Sequence, residues 1–248
     1  MFLSMARDGK AAMQHAAPAS SFRTDALVDL VLVIGASGAA LALELLFADH
    51  LPWGSIARGV SAVLAGATVA VLCTLRRHGS LAPLGLARPR RPLRLALQAV
   101  AILVAFLAAQ MLVPALLAPW FEAPPPDFSR YEGVRGNLPA ALALAIALPL
   151  FAALPEEIVY RGFVVERVGA LLGPHRLAPL GAVFVQALLF GSAHFQWGFG
   201  GMVLATIMGF VWGLAFLLCG RDLWAVVAAH GLAHQLFVVM LYQGPATG

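Results

Sequence analysis

The chain has 248 residues, 61% of them hydrophobic and 11% charged, with a mean hydropathy of +0.86. A soluble globular domain does not carry that composition, so the sequence is that of an integral membrane protein. Its net charge of +4 comes from 16 basic residues, all but one of them Arg, against 12 acids. In a membrane protein that excess sets orientation and attraction to the lipid surface, and it implies no nucleic-acid partner.

Residues 1–24 hold Arg7, Asp8, Lys10 and Arg23 and no apolar run of the signal-peptide kind, so they are expected to form a cytoplasmic N-terminal tail. Residues 25–136 follow as N-terminal transmembrane helices with a basic cytoplasmic linker. The first apolar run extends from about Ala26 to Ala48 and the second from about Val60 to Leu75, each near the ~20 residues that a span needs. Asp29 lies near the polar start of the first run and can snorkel, whereas Glu44 is deeper and can face the bundle; packing or interfacial roles are expected for both. Cys73 and Cys219 fall inside apolar segments, which indicates neither a disulfide framework nor a cysteine zinc site.

The stretch from Arg76 to Arg94 carries Arg77, Arg88, Arg90, Arg91 and three prolines, a basic linker that cannot be regular helix throughout. A third span is expected from about Leu95 to Leu117, with Gln98 and Gln110 bonding across helices. Trp120 and Phe121 then resemble interface anchors for an outer loop that runs to Asn137.

A fourth span, about Leu138 to Leu154, runs directly into Pro155-Glu156-Glu157-Ile158-Val159-Tyr160-Arg161. Pro155 can open a new helical turn or kink a continuous one, and either way the two carboxylates are expected at a break near a span end. Acidic groups near hydrocarbon depth cost roughly 2.5–3.5 kcal/mol each on insertion scales, so they need a partner or a function. Glu157 and Arg161 are four apart and share a helix face in the better orientation for an ion pair, while Glu156 lies about 100° round the helix. The spacing therefore pairs Glu157 with Arg161 and leaves Glu156 free for chemistry, unless all three merely form a solvated cap.

Glu166, Arg167, His175 and Arg176 are expected in an inner loop. Fifth, sixth and seventh spans follow at about Leu177 to Phe195, Gly201 to Leu218 and Leu223 to Tyr242. With the N-terminus inside, seven crossings leave only Arg58, Arg130 and Arg135 of the 16 basic residues outside, which agrees with the positive-inside bias. The expected fold is an all-α polytopic membrane bundle of about seven transmembrane helices, or eight if residues 156–172 form a segment of their own.

Histidines mark the last spans. Phe190-Gly191-Ser192-Ala193-His194 puts an imidazole near the outer end of the fifth, and His230-Gly231-Leu232-Ala233-His234 puts two on one face of the seventh. Gly201, Gly209 and Gly213 between them make a small-residue stripe that permits close helix approach. One such His is ordinarily a packing residue, but three beside a free carboxylate suit either a zinc ligand set or metal-free water activation. There is no His-Glu-x-x-His. Ser192 is a poor nucleophile candidate, because neighbouring residues on a helix do not face each other.

The order Glu-Glu-x-x-x-Arg, Phe-x-x-x-His, Gly-rich span and His-x-x-x-polar resembles the CPBP family of intramembrane proteases, also called the CAAX prenyl protease 2 or Abi family. The resemblance covers about residues 137–242, a CPBP-like catalytic membrane domain, and Leu84-Gly85-Leu86 before an Arg-rich stretch resembles a weaker family feature. It implies an intramembrane endopeptidase acting on a membrane-associated peptide or protein tail. Glu156 would be the base that activates water with His194, Glu157 and Arg161 the structural pair, and His230 and His234 the oxyanion stabilisers. The family commonly has Asn where this chain has His234. No cofactor is required on this reading; should a divalent metal such as zinc be used, Glu156, His194, His230 and His234 would be its ligands. The resemblance also implies a multi-pass protein of a bacterial inner (cell) membrane. Two alternatives stand beside it, a non-catalytic immunity-type or interaction protein of the same fold and a proton-coupled transporter, the latter weakened by the lack of related halves.

Overall fold

A computed structural model describes residues 19–47, 59–89, 91–120 and 128–244. The described chain is an all-α bundle built from α1 (Ala19–Phe47), α2 (Val60–His78), α3 (Pro92–Leu117), α4 (Leu138–Leu172), α5 (Ala178–Ser192), α6 (Gly198–Leu218) and α7 (Leu223–Gln243). Six of the seven are long and apolar enough to cross a membrane, and α5 is a shorter apolar helix. The polytopic membrane bundle expected from the apolar runs is the observed architecture. Helix α1 begins within the stretch expected as a tail, while residues 1–18 and the anchor Phe121 lie outside the described residues. Trp120 is 78% exposed.

The largest departure is α4. Instead of a span that ends at Leu154, one helix of 35 residues continues to Leu172, about 52 Å at 1.5 Å per residue. Two turns of wider, π-type bonding, Pro149–Ala153 and Ile158–Val164, flank Pro155. They absorb its missing N–H, and the helix passes without a break. Glu156 and Glu157 therefore sit near the middle of a continuous helix rather than at a break, and residues 156–172 belong to that helix instead of forming an eighth segment. Glu166 and Arg167, expected in a loop, belong to the last turns of α4, with Arg167 only 4% exposed. Gly173, at φ +78°, ends the helix.

Helices α5 and α6 pack at close range because glycines leave room. A Cβ at Gly213 would stand 2.7 Å from Val183 Cγ1, and one at Gly209 would stand 3.1 Å from Phe190 Cδ1. Gly201 does not join that contact; it makes space for Trp197 of the preceding turn. The amides that cross between helices are Gln186, donating to Gly209 O at 3.1 Å, and Gln235, donating to Ala145 O at 2.9 Å. Gln98 is half-buried and Gln110 exposed, and neither bonds across helices among the described residues.

Charged groups fasten the N-terminal helices. Asp29 does not snorkel: it is buried and accepts from Arg77 at 2.6 Å and from Arg167 at 3.0 Å, tying α1 to α2 and α4. Glu44 caps α2, accepting from Gly59 N at 2.8 Å and from the Ser61 hydroxyl. The basic linker is specifically seated. Leu84 is buried against Gly162 of α4, and Gly85, at φ +80°, accepts from Leu223 N at 3.0 Å at the start of α7. The linker thus fixes α4 to α7 just below the carboxylates.

Candidate active site

The two adjacent carboxylates of α4 have different surroundings. Glu157 is fully buried, and its Oε1 accepts from Arg161 Nη1 at 3.0 Å. The same oxygen lies 2.8 Å from His230 Nδ1 on α7. Glu156 is half-buried, lies within electrostatic range of the Tyr160 hydroxyl, and has no hydrogen bond or ion pair among the described residues.

Arg161 is fully buried and its guanidinium stands 4.6 Å from the Phe190 ring centroid, while Tyr160 meets Phe190 edge-on at 5.1 Å. Phe190 thereby joins α5 to the Glu-Glu segment. It also leads to His194, whose ring lies 4.6 Å from that of Phe190 and 4.3 Å from that of Trp197. Helix α5 ends at Ser192, so His194 occupies the turn after it rather than the span itself. The Ser192 hydroxyl donates to Leu189 O at 2.8 Å and is spent on its own helix.

Partner identity fixes the imidazole protons. His194 Nδ1 lies 2.7 Å from Phe190 O, and a carbonyl only accepts, so Nδ1 carries the proton and the neutral ring keeps a lone pair at Nε2. Glu157, ionised against Arg161, likewise takes the Nδ1 proton of His230. The His230 ring stacks on Trp212 at 5.1 Å and lies 4.6 Å from the His234 ring. His234 Nδ1 is buried without a partner.

The structure gathers Glu157, Arg161, His230 and His234 directly, and places Glu156 and His194 on either side of the Tyr160–Phe190 ring pair without a bond between them. The sequence reading missed the Glu157–His230 bond and the rings of Trp197 and Trp212; only the unpaired His-x-x-x-His face hinted at a buried acceptor. Among the described residues no three His, Cys, Asp or Glu side chains converge as a metal-ligand set. Glu156, His194, His230 and His234 do not converge as a ligand set in this arrangement, with Glu156 joining neither ring among the described residues.

Residues 138–236 match the family model described as type II CAAX prenyl endopeptidase Rce1-like. The match runs from the start of α4 into α7 and includes every residue of the site. The chain has no match among curated proteins or solved structures. Over residues 138–236 this chain is similar to the Rce1-like, type II CAAX prenyl endopeptidases.

Proposed function

We propose that the protein is an intramembrane endopeptidase that hydrolyses a peptide bond in a membrane-associated peptide or protein tail, with Glu156 as the base. The observation that carries this reading is the division of labour between two neighbouring carboxylates: Glu157 is consumed by Arg161 and His230, and Glu156 is unpartnered and half-open. Water held by Glu156 and the bare Nε2 of His194 loses a proton to Glu156 as its oxygen attacks the scissile carbonyl. General-base assistance of this kind contributes about 10²–10⁴-fold.

The oxyanion then forms towards His230. Glu157 holds that ring by Nδ1, and a second proton, carried at Nε2, makes His230 the donor to the oxyanion. His234 packs its ring against that imidazole at 4.6 Å, and its buried Nδ1 has no partner. The arginine bias of the sequence favours a cytoplasmic N-terminus and access to Glu156 from the cytoplasmic half of the membrane. CAAX-type tails are the first substrates to offer, as the family match suggests.

The test is cleavage of a peptide library, prenylated tails included, by purified protein in liposomes. Wild type is expected to cleave, and Glu156→Gln and His194→Ala to lose cleavage while unfolding at the wild-type temperature. A folded Glu156→Gln protein that cleaves at the wild-type rate would remove Glu156 from the chemistry.

A further inference from the structure

Two cavities lie away from the site, on the end of the molecule where the linker meets the turn between α6 and α7. One, of about 460 Å³, is bounded by Arg88 of the linker and by Gly220, Arg221 and Asp222 of the turn. The other, of about 510 Å³, follows the first turns of α3 and is lined by Arg91, Arg94, Leu93 and Leu97. The two adjoin. Arg88 and Arg91 are three residues apart, and Arg94 lies within electrostatic range of Cys219, next to Gly220.

The chemistry of the pair is asymmetric. All four arginines are exposed, and none has an ion-pair partner among the described residues. The only acid, Asp222, is occupied at the start of α7, where its Oδ1 accepts from Trp224 N at 3.0 Å. Below the arginines the walls turn apolar: Leu93, Leu97 and Ala101 are spaced by four and form one face of α3, with Leu93 72% and Leu97 63% exposed. A cluster of positive charge at a span end, continuous with an apolar groove directed along that span, is complementary to a molecule with an anionic head and a hydrocarbon chain.

We infer that these two cavities together hold one anionic glycerophospholipid, its phosphate among Arg88, Arg91, Arg94 and Arg221 and an acyl chain along Leu93 and Leu97. The linker that bounds the polar cavity also presses Leu84 against Gly162 and Gly85 against the start of α7. A lipid there braces the seat on which Glu157 and His230 are aligned.

The experiment offers phosphatidylglycerol or phosphatidylcholine to the full chain in neutral detergent and reads retained lipid by native mass spectrometry. Phosphatidylglycerol is expected to be retained in preference. Arg91→Gln/Arg94→Gln should weaken its retention about fivefold for each arginine lost. Arg176→Gln, exposed between α4 and α5, should leave it unchanged. If the Arg91/Arg94 double variant fails to fold, Arg88→Gln/Arg221→Gln reads the same loss from the other wall. Equal retention of the two lipids, or wild-type retention by a folded arginine variant, overturns the inference. Inorganic phosphate that stabilises the protein as well as the lipid does would also overturn it, in favour of a site for a free anion.

Discussion

Glu157 of α4 and His230 of α7 meet at 2.8 Å across 73 positions of sequence, on the same carboxylate oxygen that Arg161 holds at 3.0 Å. One buried anion therefore serves two cations or donors, and its removal has two separable effects. Glu157→Gln leaves Arg161 buried without a counter-charge, which costs about 3–5 kcal/mol. Glu157→Gln/Arg161→Met should recover most of that loss, because no uncompensated charge remains. Cleavage should not recover, since a neutral amide oxygen holds His230 without the charge of the carboxylate. Thermal unfolding and turnover on the same samples separate the two effects.

His234 offers a prediction of the opposite sign. Its Nδ1 is buried without a partner, and in the proposed mechanism His230 is the donor to the oxyanion. An amide at this position adds an N–H donor. His234→Asn is expected to raise kcat by about an order of magnitude, a modest share of what one oxyanion donor contributes. A drop in kcat with folding intact would show that the imidazole itself is needed.

Asp29 gathers Arg77 and Arg167 from two other helices while nearly excluded from solvent. Asp29→Asn should destabilise the bundle by about 1–3 kcal/mol, because two guanidinium groups lose their shared anion while Arg77 keeps Asp25 and Arg167 keeps Glu166. The cleavage rate of the fraction that remains folded should change little. Unfolding temperature and active-site-normalised turnover test the two statements.

Much of the architecture was legible in the sequence, and the reason is physical: apolar runs of membrane length have few structural options. The continuity of α4 was not legible. Pro155 ordinarily ends or kinks a helix, and a wider π-type turn leaves no mark in composition. Asp29 read as a snorkelling residue because its partner Arg167 is 138 positions away. The pairing of Glu157 with Arg161 follows from helical spacing, whereas the His230 bond depends on how α7 crosses α4. Gln98 and Gln110 read as cross-helix donors from residue type alone, and the helices that need such bonds are those holding Gln186 and Gln235.

The linker can be probed through two glycines with opposite surroundings. Gly85 has φ +80°, and a Cβ there would lie 2.3 Å from Arg221 O. Gly85→Ala should therefore cost at least the ~1–2 kcal/mol of a left-handed residue, with the clash added. Gly35 in α1 has nothing within 4 Å of its Cβ position, and Gly35→Ala should stabilise by up to about 1 kcal/mol through helix propensity. Thermal unfolding of both variants beside wild type checks the pair.

The most direct test of the division of labour between Glu156 and Glu157 is single-turnover cleavage of a membrane-associated peptide by wild type, Glu156→Gln and Glu157→Gln, with unfolding measured in parallel. The account predicts that Glu156→Gln loses at least about 10²-fold in rate at wild-type stability, while Glu157→Gln loses stability as well as rate. Wild-type cleavage by folded Glu156→Gln would contradict it.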